Sequence, residues 1–283
     1  MIYDFIRQQS AVHRVRRLCR VAGVSPSAYY RWKAHPVSVR GATDQVLLEQ
    51  IRTLYAAHRG VYGSPRIHNA LADAGIWCGR KRVARLMRQE RLRAKTVRRF
   101  KVTTRAGRHT GSDYVQRQFA VARANRVWSS DFTYIRTRQG WVYLAVILDL
   151  YSRRVVGWEL GARLGADVLT SALQRALDGR SITPGLILHS DRGTQYTSEQ
   201  VRTLVERHGL RQSFGTSCYD NAVAESFMHT IKSEHIQFQT YNTRDEVRSS
   251  LFDYIEVFYN RQRKHSTLGM KSPVQFEEQH LSP

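Results

Sequence analysis

A chain of 283 residues, 42% hydrophobic and 24% charged, has the length for two or three small domains and the composition of a globular protein. Its net charge of +22 is uneven: residues 1–110 hold 24 Lys and Arg against 5 Asp and Glu, whereas residues 111–283 hold 21 against 18, so the first third points to a polyanion, with double-stranded DNA, an RNA-binding extension and a solvated basic surface all open on charge alone. The spacing of Cys19, Cys78 and Cys218 excludes a disulfide framework or zinc knuckle and fits a reducing cytoplasm, and the opening Met1-Ile-Tyr-Asp-Phe-Ile6 and the lack of a long apolar run predict neither export signal nor membrane span.

Residues 12–34 read as helix, glycine turn and second helix, with Gly23 in the turn, Ser25 as cap and Pro26 at the first helical position. This is a helix-turn-helix pattern within residues 1–40, and its second helix offers Ser27, Tyr30, Arg31 and Lys33 to a groove. A second helical unit spans 41–95: an amphipathic helix Asp44 to His58, the link Gly60–Gly63, a helix capped by Ser64-Pro65 and closed by Gly75, and a helix Arg80 to Glu90. Val83, Leu86 and Met87 face inward in the last helix, and Lys81, Arg82, Arg85 and Arg88 form a basic outer face. A structural helical bundle with a solvated basic surface would show the same pattern. Residues 96–120 read as a basic linker.

The text then changes to an α/β pattern. Strands are expected at Val127–Ile135, Gly140–Asp149 and Arg154–Leu160, joined tightly enough for an antiparallel meander. A helix (166–177), a strand (186–191), a helix (198–208), a strand (210–214) and a helix (222–235) follow. The catalytic core is set at 121–240, with 241–283 as a helix and tail completing it. The order is that of a ribonuclease-H-like fold: a mixed five-stranded sheet with helices, preceded by all-α helix-turn-helix units.

Three acids stand out. Asp191 ends the apolar run Gly185–Leu188 and His189-Ser190, where open α/β sheets place ligands. Asp131 lies inside the strand Trp128-Ser-Ser-Asp131-Phe-Thr-Tyr134, where an unpaired carboxylate is costly. Glu225 opens a helix, on the face it shares with Met228, His229 and Lys232. Each also has a structural reading, as turn former, helix cap or solvated glutamate. Together, three oxygen donors need a cation among them and favour Mg²⁺ or Mn²⁺, and two ions about 3.5–4 Å apart would stabilise both the attacking and the leaving oxygen of a phosphodiester. Asp149 reads as a cap beside Tyr151-Ser-Arg153, and His189 as a packing or orienting residue.

Trp128-x-x-Asp131-Phe-Thr-Tyr134, Tyr143–Asp149 with Ser152-Arg153, His189-Ser-Asp191-Arg-Gly-Thr-Gln-Tyr196, Cys218–Phe227 with Lys232 and Glu234, and Tyr259-Asn260 with His265–Gly269 and Ser272-Pro273 resemble the DDE transposase subunit of the insertion sequence 3 family. Tyr62–Ile67 and Arg82–Arg88 resemble that family's helix-turn-helix. The resemblance implies a retroviral-integrase-like core in which Asp131, Asp191 and Glu225 hold two Mg²⁺ or Mn²⁺ ions and cut and join strands at element ends. It implies terminal inverted repeats and target DNA as partners, a homo-oligomer on DNA, an upstream-frame partner or fusion, and a nucleoid-associated cytoplasmic protein. The expected DNA-contacting residues are Tyr30, Arg31, Lys33, Arg66, Lys81, Arg82, Arg85, Arg88 and Lys232. A nuclease without strand transfer and a DNA-binding regulator are the rival readings. Two departures stand out: the 33 residues between Asp191 and Glu225 are fewer than the family's usual number, and no His/Cys zinc module is present.

Overall fold

The computed structural model describes residues 2–34, 39–95, 112–215 and 218–281. Two compact units divide the chain, Met1–Ala94 and Lys95–Pro283.

The first unit is helical: α1 (Ile2–Gln9), α2 (Val15–Val21), α3 (Pro26–Ala34), α4 (Val39–Ala57), α5 (Ser64–Asp73) and α6 (Arg80–Gln89). Ile6, Cys19 and Tyr29, one from each of the first three helices, are fully buried together. The first of these helices lies outside the sequence reading, which began at residue 12. The Ser25 hydroxyl accepts the Ala28 N–H at 3.1 Å, the cap expected for α3. Gly75 ends α5 at φ 76°, which lets the Ile76 N–H reach the Leu71 carbonyl at 2.9 Å. The start of α5 corrects the sequence reading: Gly63, extended and without a side-chain bond, holds the cap position, and Ser64 is already helical.

In the second unit, β1 (Val127–Thr137), β2 (Gly140–Asp149) and β3 (Val155–Gly161) form the antiparallel meander. They are followed by α7 (Ala166–Asp178), β4 (Ile187–Ser190), α8 (Glu199–Arg207), β5 (Arg211–Phe214) and α9 (Ala222–Glu234). The five strands run in the order β3-β2-β1-β4-β5, with β4 parallel to both β1 and β5. This is the ribonuclease-H-like sheet. Alternation along β1 and β2 divides it into two faces. Trp128, Ala145 and Ile147 point into a core shared with α7 and α8. Leu144, Val146 and Leu148 are buried on the other face. Close packing of α7 on β3 requires Gly157, where a Cβ would lie 2.2 Å from the Ala172 carbonyl.

Beyond α9 come α10 (Arg244–Phe252), a π-helical stretch Asp253–Tyr259 and α11 (Pro273–Leu281). Asn260 ties this region to the sheet edge: its side chain accepts the Val155 N–H and donates to the Val155 carbonyl, both at 3.0 Å.

One boundary is corrected. Residues 96–111 of the expected linker lie outside the described residues, but 112–120 pack on the core instead of linking. The Ser112 carbonyl accepts the Phe214 N–H at 3.1 Å, the Tyr114 N–H reaches Ser213, and Arg117 pairs with Asp220 at 2.7 Å. Val115 buries its side chain, so this segment is anchored along β5.

Candidate active site

The acids are delivered by three segments. The parallel register ends at Ser129 opposite His189, and the same count carried two residues on reaches Asp131 and Asp191. Asp131 lies mid-strand opposite Val146 of β2. Its Oδ1 accepts the Phe132 N–H at 2.8 Å, and Asp191 Oδ1 likewise accepts the Gly193 N–H at 3.0 Å. Glu225 stands in the first turn of α9, its carboxyl raised by burial and by the charge of Asp191. Asp149 lies at the other end of β1, opposite Trp128. It is fully buried and accepts the N–H groups of Asn125 and Tyr151, which makes it a cap and separates it from the other three acids.

The three carboxylates feel one another. Burial pushes the Asp131 carboxyl up to about 7, with Asp191 and Glu225 adding to the rise, while the Phe132 N–H and Lys232 oppose it. Lys232, two turns along α9, is half-buried with its ammonium 5.2 Å from the Tyr134 ring centre. Burial pulls its pKa down and the Asp131 charge draws it back up. Among the described residues, no three His, Cys, Asp or Glu side chains are drawn together closely enough to hold one ion. The chemistry of the set still fits a hard divalent cation: it is all oxygen, and burial and the negative charge of its neighbours make its most buried member harder to ionise without a cation beside it.

Supporting residues surround the acids: His189 in the orienting role that the sequence reading gave it, and Asn221 and Tyr196, to which that reading gave no role. Buried His189 has a pKa lowered by its burial, so its ring is neutral. Its Nε2–H donates to the Asp220 carbonyl at 2.8 Å, and Nδ1, 2.9 Å from Ser213 Oγ, then acts as acceptor. Asn221, at the cap position of α9, bonds both Ser129 and Ser130 of β1. Tyr196 donates to the Ser130 hydroxyl at 3.1 Å. The one local mark of this group is the pair of serines next to Asp131 in β1, and it does not name their partners.

Over the full length of both chains, the sequence is 38% identical to Transposase InsF for insertion sequence IS3A of Escherichia coli (strain K12). The chain belongs to the IS3-family transposases. It is also 41% identical over 93% of its length, and 98% of the relative's, to the uncharacterized 31 kDa protein of insertion element IS600 from Shigella sonnei. The integrase core domain family matches residues 121–218 of this transposase and again 225–281, and an HTH-like domain matches 42–100. The catalytic core domain of HTLV-2 integrase, solved in complex with magnesium, superposes on 55% of this chain and 98% of its own with a TM-score of 0.44 and 16% identity. No described helix of the transposase is long and apolar enough to cross a membrane.

The expected DNA-contacting residues of the helical unit divide into two groups. Tyr30, Arg31, Lys33, Lys81 and Arg88 are exposed. Arg82 and Arg85 do not form the free outer face that the sequence reading gave them. Both turn toward α4, where Arg82 Nε and Arg85 Nη2 hold the two oxygens of Asp44 at 2.6 and 2.5 Å. Helical spacing sets them on a flank of α6, between its apolar stripe and the Lys81–Arg88 side, and the Asp44 carboxylate lies against that flank. Arg66 lies over the Tyr62 ring, 5.6 Å from its centre.

Proposed function

We propose that this IS3-family chain binds the ends of its insertion element through the helical unit and cleaves and joins DNA strands at a site made by Asp131, Asp191 and Glu225. What supports the reading is the placement of three carboxylates on neighbouring elements, Asp131 on β1, Asp191 just past the end of β4 and Glu225 in the first turn of α9, where Asp191 and Glu225 both raise the Asp131 carboxyl. Divalent ions held by the three acids would activate water and stabilise the attacking and leaving oxygens of the phosphodiester. The chain's own part is to hold those acids on rigid elements and to neutralise the substrate. Lys232, beside Asp131 and above Tyr134, would meet a DNA phosphate. Positioning and charge neutralisation dominate phosphoryl transfer, so no covalent protein–DNA intermediate is required. Mg²⁺ or Mn²⁺ as cofactor, two ions per site, and a homo-oligomer that brings two ends together belong to the same reading.

The test uses a labelled duplex carrying the element's terminal inverted repeat, with a supercoiled target plasmid. The parent protein should nick the end in Mg²⁺ or Mn²⁺ and join it to the plasmid. Asp191→Asn should lose both steps, by a factor of 10³ or so on the scale of a catalytic electrostatic group, while still binding the duplex. Nicking without joining would leave a nuclease. Binding without either step would leave a DNA-binding regulator.

A further inference from the structure

Two serines stand immediately before Asp131 in a strand that is otherwise apolar at this end, and both are buried, Ser129 at 1% and Ser130 at 0% exposure. A buried hydroxyl is unfavourable without a partner, and an alanine or valine would fit a strand as well. Their partners lie on the two other acid-bearing segments. The Ser130 carbonyl accepts the Asn221 side-chain N–H at 2.9 Å, and the Ser129 hydroxyl donates to the Asn221 side-chain oxygen. The Ser130 hydroxyl accepts the Tyr196 O–H at 3.1 Å. Asn221 precedes Glu225 by four residues, and Tyr196 follows Asp191 by five.

We propose that Ser129, Ser130, Tyr196 and Asn221 form a buried polar junction that sets the spacing of the three carboxylates, with Asn221 and Tyr196 as positioning residues for the reaction. The proposal rests on the reading of Asp131, Asp191 and Glu225 as the reacting site. Its geometry is direct. Asn221 is itself 4% exposed and stands one helical turn, about 5 Å, from Glu225, so a shift at the amide is carried along α9 to the acid. Tyr196 is fixed at both ends: its carbonyl accepts the Gln212 side-chain N–H at 2.8 Å, and its hydroxyl reaches Ser130. His189 holds the residue before Asn221 by its carbonyl, which keeps the junction closed from the β4 side. Packing does not require the two polar groups. The Tyr196 ring meets Phe132 edge-on, 5.9 Å between centres, a contact that phenylalanine would keep.

Tyr196→Phe and Asn221→Ala are compared with the parent protein on end DNA, reading melting temperature, DNA affinity, the Mn²⁺ dependence of nicking, and Mn²⁺ uptake by the protein–DNA complex from the free-ion EPR signal. Both variants should bind DNA as the parent does. Both should need about 10–100-fold more Mn²⁺ for half-maximal nicking and for uptake, the range for residues that orient metal ligands. Unchanged uptake and unchanged metal dependence in the two variants would overturn the proposal while leaving the site reading intact. If the parent neither nicks nor takes up Mn²⁺ and Asp191→Asn matches it, the site reading itself falls. Should Asn221→Ala unfold, Tyr196→Phe, which removes one oxygen, decides the question alone.

Discussion

Asp131 pays for its place in the strand. In the unfolded chain its carboxyl titrates near 3.8, whereas in the fold burial and the neighbouring acids push it up to about 7. Between those values the folded state binds the proton and the unfolded state does not, so stability falls as pH rises from about 4 to 7 and then levels off. The difference is on the order of 4 kcal/mol at its upper limit. Asp131→Asn keeps an oxygen for the Phe132 N–H and removes the charge. In chelator at pH 8 the variant should therefore melt several degrees above the parent, and the gap should narrow steadily as pH is lowered toward 5. Calorimetry at three pH values measures it, and a variant that is less stable at pH 8 would show that burial does not penalise this carboxylate. Activity should be abolished in the same variant, a stability gain bought by deleting the function.

The helix α9 carries Glu225 in its first turn and Glu234 at its last residue, and its far end is fixed by a buried ion pair. Glu234 accepts two hydrogen bonds from Arg263, each 2.6 Å, and a third from the Tyr254 hydroxyl at 3.0 Å. Both side chains are under a tenth exposed. Glu234→Gln leaves the Arg263 charge buried with a neutral partner, and removing one member of such a pair costs about 3–5 kcal/mol. Urea denaturation should register that loss, and the paired change Glu234→Leu with Arg263→Met should be milder; equal losses would mean that packing, not charge, holds this end. The elements of the core were legible because hydrophobic period and chain order are local properties: the apolar runs of β2 and β4 and the 3.6-residue stripe of α7 announce themselves. Asp131, Asp191 and Glu225 were picked out by residue type inside one strand, at the end of another and at a helix start, with the family's motifs behind them. What links them was not legible, since the amide of Asn221 gains its meaning only from two serines 91 and 92 residues away. The Asp44 contact of Arg82 and Arg85 was hidden for the same reason, because periodicity gives the face of a helix and not the neighbour that covers it. The π-helical stretch at Asp253–Tyr259 has no sequence mark that we can name.

Across the molecule, charge is partitioned by task. The first 110 residues hold 24 of the 45 Lys and Arg but only 5 of the 23 Asp and Glu, while the region with the catalytic candidates is nearly balanced. On the proposed reading a polyanion would be drawn to the basic first part by counterion release, leaving the acids of the core for cations. Affinity for end DNA should fall steeply with salt, by about 10³–10⁵ between 50 and 200 mM if 6–10 phosphates are contacted. The exposed and the tethered arginines should separate in that experiment. Lys81→Ala and Arg88→Ala, at exposed positions, should each reduce the slope of log affinity against log salt by about 1. Arg82→Ala, whose guanidinium is held by Asp44 and Thr43, should leave the slope in place and lower the melting temperature of the protein instead. Filter binding at four salt concentrations, with a melting curve for each variant, distinguishes the two groups. If Arg82→Ala flattens the slope as Lys81→Ala does, the Asp44 clamp opens on DNA and α6 presents Arg82 and Arg85 to the duplex beside Lys81 and Arg88.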